Sequence, residues 1–136
     1  MNSFLNKDII SIQDLDKDQL EIIYSETDKI LDLDPSKRRE IARGKALGYL
    51  FFEPSTRTRL SFEAAMALIG GTSFGIADAT SSSIQKGESL ADTVKIMAGY
   101  SDVLVLRNAL DGSSRYAAEI SEKPLINGGS GTEEHP

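Results

Sequence analysis

Apolar and polar positions along this chain alternate between two rhythms. Ala46-Leu47-Gly48-Tyr49-Leu50-Phe51-Phe52 and Val103-Leu104-Val105-Leu106 are nearly unbroken apolar runs. Runs of that length, bounded by turn residues, predict strands buried on both faces, as in a parallel sheet. Thr72-Ser73-Phe74-Gly75-Ile76-Ala77 and Pro124-Leu125-Ile126-Asn127 predict two further short strands. Between them the apolar residues fall at helical spacing. Leu20, Ile23, Thr27, Ile30 and Leu31 mark a helix over about Asp16 to Leu33, introduced by a capping box, Asp16 with Gln19, and stopped by Pro35. A second helix is expected from about Thr56 to Ile69, ended by Gly70-Gly71. It carries two apolar stripes, Leu60/Ala64/Ala67/Leu68 and Phe62/Met66/Ile69, so cover is expected on two sides, one from the sheet and one from a neighbouring helix or a missing partner, whose absence would leave an apolar surface exposed. A third begins at Ser89 as cap, with Asp92 at the N3 position and Leu90, Val94 and Met97 inward. A fourth spans about Asp111 to Ser121, with Tyr116, Ala117 and Ile120 inward. Gly128 to Pro136 reads as a glycine-rich terminal loop.

Strand and helix therefore alternate roughly every 25–30 residues, the spacing of successive βαβ units. The fold class expected is α/β: an open three-layer sandwich with a mostly parallel sheet of about four strands. Ligands of such sheets bind beyond the carboxyl ends of the strands. Ser55, Arg107 and the loop after Asn127 each follow a different strand end, so they are expected to share one crevice.

The turn after the first strand carries the chemistry. Phe51-Phe52-Glu53-Pro54-Ser55-Thr56-Arg57-Thr58-Arg59 places three hydroxyls and two guanidiniums where a strand ends and a helix begins. Free backbone N–H groups and the positive end of the helix dipole face outward there. Ser and Thr at such a position ordinarily serve as caps. Arginine in a first turn, however, opposes the dipole and calls for a compensating anion. The combination suits a phosphate cradle.

Composition narrows the alternatives. The 136 residues suffice for one domain with a core, and 40% apolar with 26% charged is ordinary for a globular chain. Net charge is −6, with a pI near 4.8. That argues against broad nucleic-acid binding, which needs a basic face. A local arginine cluster can still attract a small anion. The basic run Ser36 to Arg43 reads as a solvated turn of helix. The chain has no cysteine, which rules out disulfides and thiolate chemistry and fits a reducing, cytoplasmic setting. No apolar run approaches the roughly 20 residues a membrane helix needs, so no membrane partner is expected. Neither G-x-G-x-x-G nor a G-K-[ST] loop occurs at a strand end, which argues against a nucleotide-binding Rossmann domain.

Phe51 to Glu63, F-F-E-P-S-T-R-T-R-L-S-F-E, resembles the carbamoyl phosphate signature of the aspartate and ornithine carbamoyltransferases. Glu53-Pro54 and Lys86 are similar to the aspartate branch; the ornithine branch is the nearest alternative. The resemblance implies that Ser55, Thr56, Arg57 and Thr58 cradle the phosphate of carbamoyl phosphate. It implies that Arg107 binds both phosphate and carbonyl oxygen. It further implies that the loop of Ser82/Ser83 and Lys86 reaches into the site of an adjacent subunit, Ser83 being the preferred ligand. Taken alone, Lys86 reads as a solvated lysine. Asn127-Gly128-Gly129-Ser130-Gly131 with His135-Pro136 is similar to the family's H-P-T-Q loop, whose histidine donates to the carbonyl oxygen. Ser130 stands where the family prefers aspartate. Glu53 and Arg59 read as supporting residues.

The reaction implied is attack of the L-aspartate amine on carbamoyl phosphate, giving N-carbamoyl-L-aspartate and phosphate, a step of pyrimidine biosynthesis. It requires no metal or organic cofactor. Thr58, Arg107 and His135, with Arg57 and Lys86, are the residues this resemblance assigns to catalysis. The partners implied are carbamoyl phosphate, L-aspartate and two further copies in a homotrimer, with or without a regulatory subunit. The resemblance spans residues 1–136 as the carbamoyl phosphate-binding domain and leaves the family's aspartate-binding domain outside the chain. On that expectation the chain binds carbamoyl phosphate but transfers the carbamoyl group poorly. A rival of another class is a non-catalytic anion-binding or assembly module, separable by turnover with aspartate.

Overall fold

The structure, a computed structural model, describes residues 4–78, 80, 83–132 and 134–136. Four parallel strands, β1 (Ala46–Phe51), β2 (Thr72–Ile76), β3 (Val103–Asn108) and β4 (Leu125–Ser130), form one sheet in the order β2-β1-β3-β4. Among the described residues the α-helices are α1 (Lys17–Asp32), α2 (Pro35–Arg38), α3 (Thr56–Leu68), α4 (Leu90–Tyr100) and α5 (Ser113–Ile120). The expected α/β class and parallel pairing are borne out.

Alternating residues of the apolar strands feed two separate cores. Leu47, Phe51 and Val105 pack with Met66 of α3 on one face. Leu50, Leu104 and Leu106 pack with Val94 and Met97 of α4 and Ala117 of α5 on the other. The chain leaves β1 for β2 on one side and then crosses to β3 on the other. The sheet order thus reverses direction between β1 and β3, which opens a crevice at their carboxyl ends.

Local signals act as their chemistry dictates. The capping box of α1 forms: Gln19 N–H donates to Asp16 at 2.8 Å and Asp16 N–H to Gln19 at 3.1 Å. The basic run yields α2, and Arg38 caps α1 by donating to the carbonyls of Leu31 and Leu33 at 2.8 and 3.0 Å.

Three expectations need correction. The segment after Asn127 is not all loop, because β4 continues through Gly128-Gly129-Ser130 beside Arg107 and Asn108. The pairing is irregular between Leu106 and Asn108, a bulge that glycine accommodates. Helix α3, as expected of a stripe with no second partner on it, buries its Phe62/Met66/Ile69 side and leaves Leu60 and Leu68 47% and 55% exposed. Helix α1 buries no residue, and Leu31 of its apolar face lies in solvent. Tyr116, expected inward, is exposed, since α5 starts at Ser113 and turns Ala117 to the core.

Candidate functional site

The crevice at the carboxyl ends of β1 and β3 holds a cavity of about 470 Å³. Pro54, Ser55, Thr56, Arg57, Thr58, Arg107 and His135 line it. Three segments distant in sequence supply these side chains. Pro54 breaks β1 and α3 starts at once, so the first turn of α3 forms one wall. Phe51 and Arg107 are register partners in β1 and β3, which sets the guanidinium opposite that turn.

Ser55 is the N-cap of α3, with φ −152° and ψ 94°, yet its hydroxyl makes no capping bond. Of the two readings open for this hydroxyl, cap or phosphate ligand, the cap is not formed. The first turn of α3 contains no acid. Its amide donors and the dipole's positive end thus meet the cavity together with Arg57 and the Thr56 and Thr58 hydroxyls.

Arg107 is held from two sides. Its Nη1 donates to the Gly128 carbonyl at 3.1 Å, and its Nε lies 3.6 Å from a Glu53 carboxylate oxygen. The charge that closes an apolar strand thus has its partner in Glu53, and its remaining N–H groups are available to a ligand. Gly129, at φ +111°, leaves the room this needs: a Cβ there would stand 2.8 Å from Arg107 Nη1. His135 comes back to the same place, with Nε2 3.3 Å from Thr58 Oγ1. Arg59 is absent from this cavity's wall and pairs with Glu63 at 2.7 Å. Burial, then the Glu63 carboxylate, raises the neighbouring Tyr49 phenol above its ordinary value. Arg59 thus has the i,i+4 partner that its reading as a supporting residue called for.

Ser55, Thr56, Arg57, Thr58, Arg107 and His135 are therefore brought together. Lys86 is not: it ends the short 3-10 turn Ser83–Lys86 and is absent from the cavity wall among the described residues. Ser83 opens the same turn, and Ser82 lies outside the described residues.

A family model described as "Aspartate/ornithine carbamoyltransferase, carbamoyl-P binding domain" matches residues 7–136. The chain belongs to this family. It is 73% identical over 136 residues to the aspartate carbamoyltransferase catalytic subunit of Nitrosopumilus maritimus, covering 100% of itself and 44% of that relative. It is 48% identical over 131 residues to the corresponding subunit of Thermococcus onnurineus, covering 96% of itself and 42% of the relative. The chain thus spans less than half the length of the curated relatives it matches. Among solved structures it superposes on the catalytic subunit of M. jannaschii aspartate transcarbamoylase with a TM-score of 0.88 at 45% identity, over 96% of this chain and 43% of that one. The Trypanosoma cruzi aspartate transcarbamoylase in complex with carbamoyl phosphate and aspartate gives a TM-score of 0.90 at 33% identity, over 98% and 44%.

Two residues that sequence reasoning passed over matter here, Asn127 and Glu134. Asn127 is 2% exposed and hydrogen-bonded on every side; Glu134 ties the strap that carries His135. The available signal was an asparagine closing an apolar strand, where an unsatisfied amide would be costly.

Proposed function

We propose that this chain is the carbamoyl phosphate-binding half of an aspartate carbamoyltransferase. The observation that carries the reading is the meeting of the uncapped α3 start with Thr58, Arg107 and His135 around one cavity. The relatives' names and the T. cruzi complex support the same ligand. Ser55, Thr56 and Arg57 hold the phosphate and stabilise it as it leaves. Thr58, Arg107 and His135 donate to the carbonyl oxygen as the L-aspartate amine attacks its carbon. Donors aimed at a developing oxyanion are each worth about 3–4 kcal/mol of barrier. The carbon–nitrogen bond forms, the carbon–oxygen bond to phosphate breaks, and the proton the amine gives up passes to the departing phosphate. The products are N-carbamoyl-L-aspartate and phosphate.

Residues 1–136 act on this reading as one domain, and an aspartate-binding domain is required for transfer. Ser83 and Lys86 serve the site of an adjacent copy, which fits the absence of Lys86 from the cavity wall of its own chain. The exposed Leu60/Leu68 stripe of α3 supports association of copies, a homotrimer in the intact enzyme, working in the cytoplasm. Glu53 and Lys86 favour aspartate over ornithine as acceptor.

A calorimetric titration with carbamoyl phosphate, beside an Arg57→Ala variant, tests the cradle. Binding by the parent, weakened on the order of 10–100-fold in the variant, is expected from the loss of charge-assisted hydrogen bonds. Equal binding by both would sink the cradle assignment. Full turnover with aspartate by this chain alone would sink the requirement for a second domain.

A further inference from the structure

We propose that Asn127 is the positioning residue that seats Arg107 and His135 in one cavity; the proposal rests on reading that cavity as an anion site. The Asn127 amide spends its acceptor and donor halves on different tasks. Oδ1 accepts from the Ser114 hydroxyl at 3.0 Å and from Gly129 N–H at 2.9 Å. Nδ2 donates to the Ile10 carbonyl at 2.9 Å and to the Glu134 carbonyl at 3.1 Å. Two donors and two lone pairs are all such an amide has, so every one is used.

The acceptor half fixes the turn beside Arg107. Gly129 is pinned through its N–H, and the carbonyl just before it, of Gly128, receives Arg107 Nη1. A shift of this turn moves the guanidinium. The donor half fixes the strap that bears His135. The Glu134 carbonyl belongs to the residue before His135, whose ring reaches Thr58. The Glu134 side chain adds a second anchor by accepting from Ile12 N–H at 3.1 Å. Neither Arg107 nor His135 is next to Asn127 in sequence, and Asn127 is not in the cavity wall. It acts through backbone it holds.

Asn127→Asp separates the halves. It keeps side-chain volume and acceptors, and it sets a carboxylate oxygen against the Ile10 and Glu134 carbonyls. The chain has a single histidine, so a through-space NMR contact between the Thr58 methyl and the His135 ring is unambiguous. This contact is expected in the parent and lost in the variant, while the Gly129 amide signal stays in place. Affinity for inorganic phosphate, by calorimetry, is expected to fall tenfold or more. An unchanged Thr58–His135 contact in the variant, or no contact in the parent, overturns the proposal. A parent that shows the contact but binds no phosphate overturns the anion reading alone, and loss of the contact in the variant still upholds the positioning role. Ser114→Ala is the milder companion should Asn127→Asp fail to fold. It trims one bond from the acceptor half and is expected to shift the Arg107 Nε–H resonance while the His135 contact remains. An unmoved Arg107 resonance overturns the proposal.

Discussion

Helices α3 and α4 each begin at a serine in extended conformation, Ser55 and Ser89. At α4 the serine closes the helix. Its hydroxyl accepts from Asp92 N–H at 3.1 Å and donates to the Asp92 carboxylate at 2.7 Å. Asp92 also sets a negative charge in the first turn, where the dipole favours it. At α3 the serine makes no such bond, and Thr58, flanked by Arg57 and Arg59, stands at the N3 position where α4 has its acid. The same residue type at the same helix position thus does two jobs. A cap consumes donors to stabilise a helix; an anion site must leave them unspent. The α3 start is correspondingly less stable on its own, and a bound anion would supply what the missing cap does not.

The contrast can be broken most forcefully by turning the α3 start into a copy of the α4 start. Ser55→Asp supplies a capping carboxylate beside Arg57. Phosphate affinity measured by calorimetry is expected to drop on the order of 10–100-fold, through charge repulsion and occupied donors. The melting temperature is expected to rise, since a working N-cap contributes ~1 kcal/mol. A drop in both quantities would mean that the carboxylate disrupts the turn rather than filling it.

The converse change is smaller. Ser89→Ala removes a working cap and should cost ~1 kcal/mol in denaturant unfolding, with phosphate affinity unaltered. If affinity falls with it, the two helix starts are coupled and the contrast between them is not local.

The smallest effect lies at the opposite end of the sheet, where an anion is already resident. Asp102 accepts from Ala46 N–H at 2.9 Å and from Lys45 Nζ at 3.1 Å. The Ala46 hydrogen bond first, and Lys45 second, hold its carboxyl below the ordinary carboxylate range. A depressed folded-state pKa favours folding above the unfolded value, near pH ~3.9, and that contribution is lost as pH falls through the folded-state value. Melting curves from pH 7 to pH 3 should therefore show a steeper acid loss in the parent than in Asp102→Asn. Parallel curves would remove Asp102 from the acid response.

Much of this was legible in the chain. The alternation of apolar runs with helical spacing located every strand and α1, α3, α4 and α5, because packing against a two-faced sheet imposes those rhythms, and the basic run after Pro35 marked α2. Pro54 through Arg59 announced the site, because strand end, turn and helix start are encoded within a few neighbours. What escaped depends on partners remote in sequence. Gly128 and Gly129 read as loop because glycine is a poor strand former, yet β4 needs them to clear Val105 and Arg107. Asn127 read as the close of a strand, because its partners Ile10 and Ser114 lie 117 and 13 positions away. Ser55 read as either cap or phosphate ligand, because composition cannot say whether a hydroxyl is engaged. The apolar stripe of α1 was visible, but its exposure is a property of the neighbours around it.

The three-way origin of the cavity wall has a consequence for how tightly this chain holds together. Thr58, Arg107 and His135 meet only when β1, β3 and β4 are assembled, so an unfolded chain offers a ligand no equivalent. A ligand selective for the folded form shifts the folding equilibrium by mass action, by ~2.7 kcal/mol at a hundredfold excess over its dissociation constant. The local concentration of such an anion would then set the lifetime of the folded chain as well as the occupancy of its site.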